Sequence, residues 1–209
     1  VFDDQLRAIG FASGRKNDEA VYGGARGATD SFAANPTQSI NYVSAHDNQT
    51  LWDKLNASAN KDSATLMAMN RLAATSVLTS QGTAFFLAGE ELMRSKPTVA
   101  GNAYDNKPNA YLTDPEYVFA GNSYKSPDSV NAIQWSKRGD LDTNAMVQYY
   151  KALIGIKKTF PHFQIATKSD INSCLTIADT KRNDGIARYT VKDPASNSYA
   201  VVLYNATAE

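Results

Sequence analysis

The chain has 209 residues, of which 43% are hydrophobic and 20% are charged, and its 21 basic residues balance 21 acidic ones. This is an ordinary globular composition, and the zero net charge argues against a nucleic-acid partner. No stretch approaches the roughly 18–20 apolar residues of a membrane helix, so we expect no membrane insertion.

Cysteine and histidine are too scarce for the common metal sites. Cys174 is the single cysteine, and His46 and His162 are the two histidines. An internal disulfide is excluded, and a zinc site built from these residue types is not expected. We assign no cofactor. Calcium held by loop aspartates remains open, although the chain has no Asp-x-Asp-x-Asp-Gly pattern.

The first half of the chain predicts a strand–helix–strand unit. Residues 1–39 have turn-forming composition and are expected to be a long connection. A short strand follows at Ile40–Val43, and Leu51–Leu55 can form one helical turn. Asp62 or Ser63 can cap a longer helix that stops at Gln81 and Gly82. The apolar residues of this helix recur every three or four positions: Leu66, Met69, Leu72, Ala73 and Val77. The run Thr83–Leu87 lacks polar alternation, which is typical of a parallel strand buried on both faces.

The second half predicts a long loop, a helix and a small sheet. Residues 88–140 are polar and far exceed the usual connection of about 4–6 residues, which favours a functional loop. Asp142 or Thr143 can cap the next helix, which ends before Pro161. Its predicted core residues are Met146, Tyr149, Tyr150, Leu153 and Phe160. Short strands are predicted at Cys174–Ile177, Ile186–Val191 and Tyr199–Tyr204. They form either a small sheet on the helical part or the start of a β-domain.

Ser44, His46 and Asp47 follow the first predicted strand and invite a catalytic interpretation. Neighbours in an extended chain point to opposite sides, so these three cannot form an acyl-transfer triad. At the carboxyl end of a barrel strand, however, a His–Asp pair can offer a donor and an acceptor to vicinal sugar hydroxyls. The alternative is that Asp47 and Asn48 cap the following turn and that His46 is a packed histidine.

Four segments resemble the C-terminal portion of the type I pullulanases, which belong to the α-amylase superfamily. Residues 41–55 are similar to the fourth conserved region of that superfamily, and they read NYVSAHDNQTLWDKL. The others are SQGTAFFLAGEE at 80–91, NSYKSPDSVNAIQW at 122–135 and FDDQLR at 2–7. They resemble, respectively, the eighth strand, the loop before the eighth helix and the end of the sixth strand. The resemblance covers about residues 1–160.

The resemblance implies an α/β fold, namely the C-terminal part of a (β/α)8 barrel in residues 1–160 and the start of an all-β, sandwich-type domain in residues 161–209. It implies a retaining hydrolase of α-1,6 branch linkages in pullulan, glycogen or starch-derived α-glucans. Retention needs two carboxyls about 5–5.5 Å apart. In this family both follow the fourth and fifth strands, which no segment of the chain resembles. The chain is therefore expected to be inactive alone, because it needs the upstream barrel segment.

By the same resemblance, Asp47 is the third carboxylate, which stabilises the transition state, and His46 binds the same sugar. Trp52 and Tyr124 can stack on sugar rings, and Asp128 and Asn131 can bind hydroxyls. The remaining loop aromatics, Tyr104, Tyr111, Tyr117 and Phe119, are interpreted as loop anchors. The adjacent acids Glu90 and Glu91 diverge in direction and are interpreted as structural. A local charge cluster without a chemical role is the interpretation for Asp3, Asp4 and Arg7.

Two other functions remain open at this point. One is a noncatalytic α-glucan-binding or scaffold fragment, and the other is an isoamylase-like or α-1,4-acting relative. The stretch from Asn48 to Lys54 favours the pullulanase type. We expect a secreted or cell-surface bacterial location rather than a cytoplasmic one, although no motif fixes it.

Overall fold

The computed structural model describes residues 12, 19–59, 62–98, 118–119, 123–177 and 184–207. These residues form helices and small sheets, as expected for an α/β chain. They divide into two compact units. The first unit contains described residues 43–59, 62–70, 86–98, 118–119 and 123–149, and the second contains 12, 19–42, 71–85, 150–177 and 184–207.

Most of the described helices and strands are short, and only Ser63–Leu78 and Leu141–Thr159 are long helices. The helices are Glu19–Ala25, Leu51–Ala59, Ser63–Leu78, Asp128–Asn131, Leu141–Thr159 and Lys168–Cys174. The strands are β1 (Ile40–Asn41), β2 (Thr83–Ala84), β3 (Pro97–Thr98), β4 (Val118–Phe119), β5 (Leu175–Ile177), β6 (Ile186–Lys192) and β7 (Tyr199–Asn205). The helix Glu19–Ala25 corrects the prediction that residues 1–39 are only a connection. Position 24 of this helix requires a glycine, because an added Cβ would lie 2.6 Å from the Ser80 hydroxyl oxygen.

The predicted strand–helix–strand unit is confirmed by parallel pairing of β1 with β2, in which Ile40 opposes Thr83 and Asn41 opposes Ala84. The predicted cap of the intervening helix is also present, since Asp62 accepts a hydrogen bond from the Thr65 N–H at 3.0 Å.

Burial of the second strand on both faces is a wrong prediction. β2 ends at Ala84, Phe85 is 42% exposed and Ile40 on the partner strand is 62% exposed. A parallel strand is enclosed only when further strands and helices extend the layers around it. The described part of this sheet has two strands, so its apolar side chains are not covered.

Gln81 joins four separate segments of the second unit. Its side-chain amide donates to the carbonyl of His162 at 2.7 Å, and its side-chain oxygen accepts from the Ile165 N–H at 2.9 Å. Its backbone N–H donates to the Gly24 carbonyl, and its own carbonyl accepts from the Asn41 side chain at 2.6 Å. A fully buried amide needs such partners. They position the end of β1 within this unit.

The core of the second unit lies against a three-stranded antiparallel sheet, β5-β6-β7. Its buried members are Tyr22, Ala25, Phe163, Ile165, Ile171, Cys174, Leu175, Ala187, Tyr189, Val191, Val202 and Tyr204. All three predicted strands are present. Cys174, however, ends a helix that the sequence analysis missed, so β5 begins at Leu175. Thr167 caps that helix by accepting a hydrogen bond from the Asp170 N–H.

The predicted second helix begins at Leu141, one residue before the expected caps. Met146, Tyr150 and Leu153 are buried as predicted, and Tyr149 is half-buried. The prediction for Phe160 is wrong, because this side chain is 47% exposed. Phe160 has extended backbone, as a residue before proline favours, so it leaves the helical face.

Gly82, at the turn before β2, provides a test of this local geometry. Its φ is +91°, and an added Cβ would lie 2.2 Å from the Ser39 hydroxyl oxygen and 2.7 Å from the Pro36 carbonyl oxygen. We expect Gly82→Ala to lower the free energy of unfolding by about 1–3 kcal/mol. Gly155→Ala is the control, because nothing lies within 4 Å of its added Cβ. This control should raise stability by about 0.5–1 kcal/mol, since Gly155 is inside a helix. Equal urea midpoints for the two variants would contradict the described turn.

Candidate functional site

His46 and Asp47 lie in the loop between β1 and the helix Leu51–Ala59, and both side chains face water. The His46 Nε2 is 3.5 Å from the Asp47 Oδ2, and the two side chains are 84% and 76% exposed. They form an adjacent imidazole and carboxylate that a ligand can reach. The alternative of a packed, satisfied histidine does not describe His46, because its ring is exposed.

Ser44 is directed away from this pair. It is buried, and its hydroxyl donates to the Glu90 Oε2 at 2.6 Å. The rejection of a Ser-His-Asp triad is consistent with this contact. Glu90 is itself buried, at the start of the 3₁₀ turn Glu90–Leu92, and it serves the structural role expected of it. The Ser44–Glu90 bond therefore fixes the loop just before His46.

Lys96 holds the same loop from the other side. The side chain is only 1% exposed. Its ammonium donates to the carbonyl of His46 at 3.2 Å and to the carbonyl of Asn48 at 2.6 Å. Asn48 adopts a φ of +60°, an uncommon conformation that bonding to its carbonyl helps to maintain.

Asp53 connects Lys96 to the helix that follows the loop. Its buried carboxylate accepts hydrogen bonds from the Ser95 hydroxyl at 2.5 Å and from the Lys96 N–H at 2.8 Å. Its own N–H donates to the Thr50 hydroxyl at 3.1 Å. Burial raises the pKa of Asp53, while the bonds from Ser95, Lys96 and Thr50 and the charge of Lys96 oppose that rise.

Sequence reasoning missed Asp53 and Lys96, which are 43 residues apart. Asp53 lies inside the resembling motif but has no neighbour in sequence that marks it as buried. Lys96 lies in a polar stretch, where a lysine is expected to be exposed. Their pairing depends on the tertiary fold, and no local pattern in the sequence could have indicated it.

The helix carrying Trp52 is longer than predicted and extends to Ala59. Trp52 is half-buried and lines a cleft of about 570 Å³ in the first unit. The described lining also contains Ser63, Met67, Leu92, Met93, Lys137, Asp140, Leu141, Asp142 and Thr143. The cleft combines apolar walls with polar groups. Neither His46 nor Asp47 is among its described lining residues.

Of the other predicted contact residues, Tyr124 precedes the helix Asp128–Asn131, and Asp128 and Asn131 lie at its two ends. Tyr124 is 85% exposed, with the Lys125 ammonium 6.0 Å from the centre of its ring. Asp128 is exposed at the start of the helix. Asn131 uses its side-chain nitrogen within the loop, donating to the carbonyls of Ser123 at 2.7 Å and Ser126 at 3.0 Å.

Several predicted residues are not located by the structure. Asp3, Asp4, Arg7, Tyr104, Tyr111 and Tyr117 lie outside the described residues, as does the side chain of Phe119. Within the described ranges, no group of three or more His, Cys, Asp or Glu side chains is placed to hold a metal ion. The helices of the described ranges include none long and apolar enough to span a bilayer.

The Ser44–Glu90 bond is expected to stabilise the folded protein. Ser44→Ala leaves a buried carboxylate without this donor, so we expect a loss of about 1–3 kcal/mol in the free energy of unfolding. Ser31→Ala is the matched control, because Ser31 makes an exposed bond to the Ala28 carbonyl. The control should change stability by less than about 0.5 kcal/mol. A comparable loss in both variants, measured by urea denaturation, would mean that the buried bond contributes nothing specific.

Several known proteins are similar to this chain. No protein-family profile matches the chain. The pullulanase of Bacillus subtilis strain 168 is 32% identical over 184 residues, covering 83% of this chain and 22% of that protein. The pullulanase of Klebsiella pneumoniae is 31% identical over 195 residues, covering 86% of this chain and 17% of that protein. The chain thus spans about a fifth of the length of these curated relatives.

Solved structures give the same result. A type I pullulanase from Bacillus subtilis complexed with maltose superposes with a TM-score of 0.79 at 28% identity, covering 98% of this chain and 26% of that one. A mutant pullulanase from Paenibacillus barengoltzii complexed with maltotetraose has a TM-score of 0.79 at 31% identity, covering 98% of this chain and 30% of that one. The resemblance to type I pullulanases indicated by the sequence is confirmed.

Proposed function

We propose that this chain, a relative of the type I pullulanases, carries the sugar-binding His–Asp pair of a retaining glycoside hydrolase. The hydrolase cleaves α-1,6 branch linkages in pullulan, glycogen or starch-derived α-glucans. His46 and Asp47 support this proposal because both are exposed on a loop that the buried residues Ser44, Glu90 and Lys96 hold in place. A binding site needs contact groups that a ligand can reach and that the surrounding residues hold in place.

The proposed architecture is the C-terminal part of a (β/α)8 barrel in residues 1–160, with a β-domain beginning in residues 161–209. Parallel pairing of β1 with β2 supports the barrel, because all strands of such a barrel are parallel. The position of His46 and Asp47 just after β1 also agrees, since barrel active sites lie at the carboxyl ends of the strands. The antiparallel sheet β5-β6-β7 supports the β-domain.

In the proposed mechanism, the nucleophile and the acid/base belong to barrel strands that no segment of this chain resembles. Asp47 accepts hydrogen bonds from hydroxyls of the sugar being cleaved, and His46 donates to the same ring. As the ring gains oxocarbenium character, the negative charge of Asp47 stabilises the developing positive charge. The pair therefore binds and stabilises the reacting sugar but does not attack it.

Four further residues are proposed to contact the glycan. The exposed ring of Tyr124 can stack on a sugar, and the exposed Asp128 carboxylate can accept from a hydroxyl. Asn131 has its side-chain nitrogen engaged by two carbonyls, so a sugar contact falls to its side-chain oxygen. Trp52 contributes through the cleft that it lines.

Substitution of Asp47 in the whole protein tests the proposal. We expect Asp47→Asn to lower kcat on pullulan by roughly 10²-fold or more, the scale of losing one electrostatic contact to a transition state. The melting temperature should not change, because the side chain is exposed. Maltotriose release by the unsubstituted protein identifies the α-1,6 linkage as the one cleaved.

Asp30→Asn is the control for that experiment. Asp30 is exposed and forms an ion pair with Arg26 at 3.0 Å, within the second unit. This substitution should leave kcat unchanged. Near-normal activity of Asp47→Asn would contradict the assignment. Hydrolysis of pullulan by the 209-residue chain alone would contradict the claim that the reacting carboxylates lie outside it. Glycan binding by the whole protein without turnover would favour a noncatalytic role.

A further inference from the structure

The carbonyls that Lys96 binds are those of His46 and Asn48, the residues on either side of Asp47. Two hydrogen bonds from one ammonium therefore fix the peptide groups that bracket the proposed third carboxylate. The Asp47 side chain itself is exposed and has no comparable support of its own among the described contacts, apart from the 3.5 Å approach of His46. Its direction is set by the backbone from which it projects.

The environment of the Lys96 ammonium also determines how the loop is held. A charge removed from water is tolerated only when it is paired and hydrogen-bonded. Lys96 meets this requirement through the two loop carbonyls. Its charge also opposes the rise in the pKa of the neighbouring Asp53 carboxyl, which accepts the Lys96 backbone N–H. Asp53 belongs to the helix that begins directly after the loop. Lys96 thus joins the loop to the first turn of the next helix.

We infer that Lys96 is a positioning residue, whose buried ammonium orients the Asp47 carboxylate toward the substrate sugar. This inference rests on the proposed function of Asp47. A misplacement of about 1 Å in a reacting group can cost about 10²-fold in rate. Replacing Lys96 leaves the carbonyls of His46 and Asn48 without their donor and frees the peptide groups around Asp47.

A purely structural lysine would behave differently, and the chain contains one for comparison. Lys157 also donates to two backbone carbonyls, those of Ser80 and Phe163, but it lies in the second unit. Burial lowers the pKa of Lys157 to about 8, so below neutral pH this control residue is charged. Lys96→Met and Lys157→Met therefore each remove an ammonium that donates to two backbone carbonyls. Only in Lys96→Met do these carbonyls belong to the residues on either side of Asp47.

The first readout is a double-mutant cycle with Asp47→Asn, measured on pullulan with the whole protein below neutral pH. Lys96→Met should lower kcat by about 10–10²-fold with KM changed less than about threefold, because a geometry needed in the transition state is lost. In the Asp47→Asn background it should lower kcat by less than about threefold, since there is no carboxylate left to orient. Lys157→Met should change kcat by less than about threefold in either background. Equal losses from Lys96→Met in both backgrounds would overturn the inference.

If Lys96→Met does not accumulate as folded protein, Lys96→Arg replaces it. Arginine keeps the charge and the donors but presents them as a planar fork, so the two carbonyls cannot be held in the same positions. The decrease in kcat caused by Lys96→Arg should also be smaller in the Asp47→Asn background. A loss that is the same in both backgrounds would count against positioning here too.

The second readout does not depend on catalysis. The N–H groups of Asp53 and Lys54 donate to Thr50, where the loop meets the helix. Amide hydrogen exchange at these two residues should be about tenfold faster in Lys96→Met than in the unsubstituted protein, and unchanged in Lys157→Met, because exchange reports local opening. Unchanged exchange in Lys96→Met would overturn the positioning role even if activity falls. Near-normal activity of Asp47→Asn, by contrast, would remove the proposed function while leaving the exchange result in place.

Discussion

A lysine ammonium that is shielded from water must be satisfied by hydrogen bonds, and this requirement fixes the loop of His46 and Asp47. The Lys96 ammonium meets it through the carbonyls of His46 and Asn48, while the Lys96 backbone N–H donates to Asp53. Ser44, bonded to Glu90, secures the other end of the loop. The loop is therefore held by buried polar contacts on both sides of the exposed pair. Such contacts have narrow geometry, and leaving a buried partner unpaired is costly, so they specify one loop conformation.

The second unit uses the same principle with a neutral group. The buried amide of Gln81 contacts the backbone of Ile165 and His162, and its own peptide group contacts Gly24 and Asn41. Because Asn41 is the last residue of β1, these bonds define the point from which the chain leaves the strand. Buried polar residues of types that are usually exposed thus organise both units. The residues that remain exposed are the ones available to a ligand.

The sequence predicted what local periodicity and local motifs encode. The helix after Asp62, the parallel pair β1 and β2, and strands β6 and β7 follow from spacing and turn residues. The position of His46 and Asp47 after a strand follows from a motif. Burial of Phe85 and Phe160 was mispredicted, because burial depends on what covers a side chain and not on its own hydrophobicity.

The helix Lys168–Cys174 was missed because it is short and depends on its Thr167 cap. The supporting pairs, Ser44 with Glu90 and Asp53 with Lys96, join residues more than 40 positions apart, a distance over which sequence patterns carry no information about contact. The exposed residues of the site and the residues that support them differ in the same way. The proposed sugar-binding residues form a contiguous motif, whereas the residues that hold them are dispersed.

His46 and Asp47 are proposed to bind the same sugar ring, and a structure of the whole protein bound to maltotriose would show whether they do. We expect a glucose unit whose hydroxyls lie within about 3.2 Å of both the Asp47 carboxylate and a His46 ring nitrogen, the limit of an ordinary hydrogen bond. A bound sugar that contacts neither side chain, with both still facing water, would contradict it.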